Sequence, residues 1–403
     1  MSSSHRHPIH LVRALAVLTT LALVACDPAP EPGDVGIQNV EVTQGIQNVL
    51  NQVPLLAGRP TFVRVYLRGN TEGGAAVPAV TARMYIDGGA ALAPRGTASV
   101  VAPARGSDPR VLGDSFLFEV PTAELPAGAH RIRVALELPA GVTVSDPANL
   151  VSELDITMQP PQEMTVYGIT YGYTNIPRAY QLRLGLTSST WQPRPFTDFE
   201  LQRDGAEQML PLSALVVDPL PDTASPLFDC RYTGDDATGG CAGYEDARTW
   251  GTQVIDARFP AGGENLVILQ PETTPGRFLG GHVGTGRRNG VINMQPDTSV
   301  YIGATLAHEL FHALGVGHTA MPLDGFDPKY PRPDGSLGAY VGLRSRPTLE
   351  LYAGDTLAGA VAGYDIMSYR FPQWASPWTY CKALNAASRG AVTCPHLLDD
   401  WDR

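Results

Sequence analysis

The stretch HELFHALGVGH, His308 to His318, gathers three of the chain's nine histidines around one glutamate and one glycine. On a helix, His308 and His312 lie four residues apart on one face, so two imidazole nitrogens can converge on one metal ion at ~2.0–2.1 Å. Glu309 projects beside them, placed to take a proton from a water at that ion rather than to ligate the ion itself. Gly315, lacking a Cβ, can turn the chain sharply where the helix ends and bring His318 back as a third ligand. Three neutral ligands leave a fourth position for water and lower its pKa from ~15.7 toward ~7. Chance yields this full spacing with a probability on the order of 10⁻⁵, so solvated surface histidines account for it poorly.

Working outward, PDTSVYIGATLAHELFHALG predicts a helix capped by Asp297, Thr298 or Ser299 and ended by Gly315 in a left-handed conformation. Upstream, from Met164, TVYGITYGY reads as a strand and FELQRDGAEQMLPL contains a helical stretch. ALVV and NLVILQ are short, continuously apolar runs, as expected of strands covered on both faces; FLGGHVG and GVINM are two more strand candidates. A mixed α/β sheet with an active-site helix is the expected architecture.

HELFHALGVGH resembles the extended zinc-binding signature of the metzincin metalloproteases, and YDIMSY, Tyr364 to Tyr369, resembles their Met-turn. The resemblance implies an α+β catalytic domain holding one Zn2+ on His308, His312 and His318, with Glu309 as general base. Met367 would form a hydrophobic floor beneath the metal, and Tyr369 would ligate it or hydrogen-bond the tetrahedral intermediate. An antiparallel edge strand above the cleft would fall at about Leu279–Gly284 and pair with an extended substrate through its backbone. Within it, Gly280, Gly281 and His282 are the candidate contacts, although His282 reads better as a plain surface residue. The likeness spans roughly Met164 to Trp401, with its specificity in the two motifs. Two departures stand out: Thr319 follows the third histidine where the best-known subgroups have other residues, and a long insertion rich in Gly, Pro and Asp separates His318 from Met367. Asp324, Asp327 and Asp334 in that insertion are candidate Ca2+ ligands, though three acids in a long loop are more often simply solvated. DIMSYRFPQWASPWTY is also similar to stretches after the Met-turn in several large secreted bacterial metalloproteases; no substrate carries over.

Residues 35–160 have a different texture. IQNVEVTQ, TFVRVYLRG, VTARMYID, DSFLFEVP, HRIRVALEL and LVSELDITM alternate apolar and polar residues between Gly, Pro and Asp clusters. That is the pattern of antiparallel strands with one buried face, and it predicts an all-β immunoglobulin-like sandwich. His130 reads as an ordinary strand residue. MQPPQEM interrupts the pattern, since proline cannot donate to a sheet ladder, and sets a boundary between this domain and the catalytic domain over 161–403.

The N-terminus carries an export signal. Arg6 and Arg13 precede or open the apolar run LVRALAVLTTLALVAC, which is too short for a confident membrane span and reads as a signal peptide over 1–25. LVAC, Leu23 to Cys26, resembles the bacterial lipobox, which implies cleavage before Cys26 and a lipid anchor there. An ordinary secretory peptide is the other reading. DPAPEPGD would then be a semi-rigid tether, 26–34. Of the remaining cysteines, Cys230, Cys241, Cys381 and Cys394, the local pairs 230–241 and 381–394 are preferred among three connectivities. The formal net charge of -11, with 29 basic against 40 acidic residues and no basic stripe, argues against nucleic acid as a partner. A charged fraction of 17% beside 43% apolar residues allows a sizeable core.

The expectation is an exported, monomeric zinc endopeptidase of the cell envelope, acting on protein or peptide substrates. A surface binding or adhesion lipoprotein with a silent protease-like domain is the alternative, yet such a protein would be free to lose Glu309 or a ligand. A hydrolase of non-peptide amides would use the same ion and base without needing an edge strand.

Overall fold

The computed structural model describes residues 34–70, 77–96, 100–102, 106–142, 144–178, 181–182, 187–193, 195–220, 226–230, 232–233, 240–241, 243–260, 265–269, 282–283, 290–294, 302–320, 323, 325–353 and 361–394. The chain divides into two compact units, Met1–Glu31 and Pro32–Arg403, and every described residue belongs to the second. The signal peptide and Cys26 lie outside the described residues. The expected tether is shorter than drawn, because Asp34 already opens the first strand. Among the described residues no helix is long and apolar enough to cross a membrane.

The six alternating runs become β1 (Asp34–Thr43), β4 (Thr61–Asn70), β5 (Val77–Ile86), β7 (Ser115–Val120), β8 (Gly128–Glu137) and β9 (Val151–Gln159), and the short strands β2 (Ile46–Gln47), β3 (Leu55–Leu56) and β6 (Val100–Ala102) lie between them. All but β2 form two sheets, β1-β4-β7 and β3-β9-β8-β5-β6. Successive side chains leave opposite faces of a strand. Accordingly Ile132, Val134 and Leu136 of β8, with Val80, Ala82, Met84 and Ile86 of β5, are buried. They share one core with Val40, Val42, Val63, Val65, Phe116 and Phe118 of the smaller sheet, so the two sheets make a β-sandwich. His130 belongs to its fabric: its ring bonds the Asp87 carboxylate and the Pro126 carbonyl, each at 2.7 Å.

The second region continues with β10 (Glu163–Thr170), β11 (Gly172–Thr174), α1 (Thr197–Met209), β12 (Ala214–Pro219), β13 (Leu227–Asp229), β14 (Tyr232–Thr233), β15 (Gly240–Cys241), α2 (Gly243–Arg258), β16 (Asn265–Leu269), β17 (His282–Val283) and β18 (Gly290–Met294). After these come α3 (Ala304–Ala313), β19 (Val341–Arg344), β20 (Glu350–Ala353), β21 (Val361–Ala362), β22 (Tyr364–Asp365), β23 (Gln373–Trp374) and α4 (Pro377–Ala387). The expected mixed sheet is present, in the order β12-β10-β16-β18-β17. Its first four strands are parallel, and β17 runs antiparallel to β18 at the edge, with His282 opposite Asn293. Gly280 and Gly281 lie outside the described residues, as does the His282 side chain.

Three features depart from the sequence reading. The helix carrying the histidines starts at Ala304, later than a cap at Asp297, Thr298 or Ser299 would place it; Gly303 is its N-cap, with no side-chain cap bond. The Gly303 N–H is instead received by the Gln202 side chain of α1 at 3.2 Å, a tertiary cap that local sequence does not announce. Two helices, α2 and α4, were not expected, although α4 had a readable start: Ser376 accepts the Thr379 N–H and Pro377 fills the first turn. The boundary at 160/161 marks a change of pattern and not a separation of bodies. β2 pairs with β19, and Ile46, Val53 and Leu56 share a core with Leu306, Leu310, Phe311 and Met367. The Arg59 guanidinium, 3% exposed, donates to the carbonyls of Gln44 at 2.9 Å, of Gln208 and Leu212 at 2.8 Å, and of Leu210.

Candidate metal centre

The apolar face of α3, with Leu306, Ala307, Leu310 and Phe311 fully buried, fixes the helix against the core and turns His308 and His312 toward the loop that follows. That loop begins with Gly315 at φ 78°, the left-handed conformation expected of it. The Gly315 N–H bonds the His312 carbonyl at 2.8 Å and the Val316 N–H bonds that of Phe311 at 3.0 Å, the paired bonds of a Schellman ending. The chain then returns His318, which is held by a short parallel bridge: its N–H bonds the Gly325 carbonyl at 3.1 Å and its carbonyl accepts from Asp327 at 2.8 Å.

Possible ligand atoms of His308, His312 and His318 all lie within 4.8 Å of one another, and His312 Nε2 is 3.1 Å from His318 Nε2. Among the described residues this is the one group of three such side chains able to hold a metal ion. The inner nitrogens are already committed. His308 Nδ1 lies 2.8 Å from the Ile366 carbonyl and His312 Nδ1 lies 2.8 Å from that of Val316, so each ring donates there and its Nε2 lone pair faces the site. His308 Nε2 is buried without a hydrogen-bond partner, as a nitrogen reserved for a metal would be. Burial, reinforced by His312 and His318, holds the His308 imidazole down at about 3, and burial lowers His312 as well, so both rings are neutral.

Glu309 is buried beside these rings, at 2% exposure. Tyr369 covers them from the other side, its ring centroid 4.9 Å from those of both His308 and His318. Its backbone is left-handed, at φ 56°, where the turn over Ile366–Ser368 ends. Burial and the Glu309 charge raise the Tyr369 phenol, which therefore keeps its proton and remains a donor. Met367 is fully buried in the same core as Leu306, Leu310 and Phe311 of α3.

Sequence reasoning missed what holds these parts together. Asp365, fully buried, accepts from the Met367 N–H at 2.8 Å, the Ser376 N–H at 2.9 Å and the Thr319 hydroxyl at 2.9 Å. Thr319 also donates its N–H to the Met367 carbonyl at 3.1 Å. The departure at Thr319 thus has a structural role: the residue after the third histidine ties its loop to the methionine turn and to the start of α4. The signal was Asp365 itself, the one charged residue of YDIMSY. Two of the candidate Ca2+ acids have protein partners. Asp327 pairs with Lys382 and accepts the Lys329 N–H at 3.0 Å, Asp334 accepts the Ser336 N–H at 3.1 Å, and Asp324 lies outside the described residues. Cys381 and Cys394 form one of the two expected disulfides, with Cα atoms 5.9 Å apart, and Cys230 is disulfide-bonded too.

No known family model matches the chain, and no curated protein does. Among solved structures it is similar to the CARDB domain of a Pyrococcus furiosus protein, crystallised in complex with di-metal ions. That likeness has 18% identity and a TM-score of 0.22, and it covers 32% of this chain and 94% of that one. A solution structure of the same domain gives 18% identity, 32% and 97% coverage, and a TM-score of 0.20. Likenesses at these scores carry no argument about what the chain does.

Proposed function

We propose that this chain is a zinc endopeptidase of the metzincin type, exported, anchored by lipid at Cys26 and active as a monomer on protein or peptide substrates. The reading rests on one observation: three imidazoles converge through Nε2 while carbonyls hold the Nδ1 of two of them, with a buried carboxylate and a protonated phenol at the same spot. Three neutral nitrogen ligands suit zinc. A zinc ion bound there supplies Lewis acidity and water acidified to near neutrality.

The protein's own groups do the rest. Glu309 accepts the proton of the attacking water and passes it to the leaving amine. The Tyr369 hydroxyl donates to the oxygen on which negative charge develops. The backbone of β17, at the sheet edge, receives an extended substrate as an added strand.

The test is digestion of an unbiased peptide library by the zinc-loaded mature chain beside its Glu309→Ala variant, read by mass spectrometry, with bound zinc measured for both. Cleavage by the first and silence from the second, at equal zinc content, is expected. Cleavage by both would remove Glu309 from its role, and silence from both with zinc bound would promote the binding-lipoprotein reading.

A further inference from the structure

Behind the histidine cluster lies a cavity of about 310 Å³ to which none of the three histidines contributes. Its walls come from α1, from the entry to α3, from the turn after β19 and from β20 and β23, with Leu201, Met209, Ile302, Pro347, Tyr352 and Trp374 forming the apolar surface. Tyr352 and Trp374 stack with centroids 5.0 Å apart and planes 9° from parallel, which makes them a rigid, almost wholly buried part of the cavity wall. One wall residue, Gln373, donates to the Ile366 carbonyl at 3.2 Å, the same carbonyl that His308 Nδ1 meets at 2.8 Å. The cavity is therefore one side chain away from the carbonyl that holds His308, on the Nδ1 side of that ring.

The charges at the rim are unequal. Asp204 is paired with Arg203 at 2.9 Å, and Arg344 is paired with Glu350. Arg346 is exposed at the lip, and among the described residues its guanidinium has no hydrogen bond or ion pair. Its backbone is held firmly: the Gln208 side chain accepts the Arg346 N–H and donates to the Arg346 carbonyl, each at 3.0 Å. An apolar slot of ligand size with a single uncompensated guanidinium at its mouth, carried on a backbone held in place, matches a molecule with an aliphatic body and one carboxylate, which an Arg fork binds through two parallel hydrogen bonds.

We propose that this cavity is a binding site for an aliphatic carboxylate of medium chain length, seated with its alkyl chain against Trp374 and its carboxylate on Arg346. The site is independent of the peptidase reading, because no group in it takes part in the proposed chemistry.

The test is isothermal titration of the full zinc-loaded chain with decanoate, and with decanol as the uncharged counterpart. Saturable, one-to-one binding of decanoate below its micelle concentration is expected. Arg346→Gln should weaken decanoate about tenfold or more and leave decanol unchanged. Leu201→Trp, at a position 52% exposed on the lip, should obstruct both ligands with the unfolding midpoint unaltered. Quenching of tryptophan fluorescence by 10-bromodecanoate, lost in Trp374→Phe, would place the alkyl end. Three results overturn the proposal: no saturable heat, binding indifferent to both lip substitutions, or an equal loss of decanoate and decanol in Arg346→Gln.

Discussion

Asp365 shows how much one side chain decides at this centre. Burial pushes its carboxyl up, and bonds from Ser376 and Met367 work against that push. As a carboxylate it offers acceptors to three segments that meet nowhere else in the sequence: the loop of His318, the methionine turn and the cap of α4. Asp365→Asn keeps the shape but sets an amide NH₂ against a backbone N–H that needs an acceptor. The expected cost is about 1–3 kcal/mol of stability, with metal affinity about tenfold lower because the support of His318 loosens. Chemical denaturation and competition with a zinc chelator measure the two effects, and wild-type values in both would show that Asp365 is a bystander.

At the scale of elements, the crossing of α1 over the entry to α3 is set by Gly205. A Cβ built there would lie 1.8 Å from the Ile302 carbonyl oxygen, a backbone atom that no side-chain rotation can move aside. Gly205→Ala is therefore an overpacking change that forces the helices apart, at about 3 kcal/mol. It should appear as a lower urea midpoint with the slope kept. In the sandwich, the His130–Asp87 pair staples β8 to the turn after β5. Burial alone would lower the His130 imidazole, but the Asp87 carboxylate and the Pro126 carbonyl more than reverse it and hold it above its ordinary value. A raised folded-state pKa means that the stabilisation is complete below ~6.5 and is lost as pH rises through the folded value. Asp87, lowered by the Arg131 N–H and by His130, contributes above ~3.9 and loses that as pH falls. The thermal midpoint should thus decline on going from pH 6 to pH 8 in the wild type, and His130→Gln should flatten that decline.

The two folded regions form one body, since the sandwich lends β2 to the sheet of β19, β20 and β21. The Gly45 carbonyl receives the Trp374 indole N–H at 2.6 Å and the Leu343 N–H at 2.7 Å, while Arg59 closes the end of α1. A chain beginning at Glu163 would leave those donors and carbonyls without partners and strip Ile46, Val53 and Leu56 from the core around α3. It should fail to fold cooperatively, as judged by circular dichroism melting, whereas a chain beginning at Asp34 should melt as the full protein does. A sharp transition in the shorter chain would mean that the sandwich is a detachable module after all.

The sequence alone determined whatever depends on spacing. Six alternating runs became strands of the sandwich, because a period of two exposes one face whatever lies beyond it. His308, His312, Gly315 and His318 came together as a cluster because a four-residue step on a helix and a left-handed glycine are local geometry. Contacts made between segments far apart in the chain leave no periodic trace, and those were left to the tertiary structure. The cap of α3 is supplied by Gln202, the lock on Thr319 by Asp365, and the seam between the two regions by Arg59 and Gly45. Each is a buried polar group satisfied across a long stretch of chain, and only the packing of distant segments decides which partner it meets.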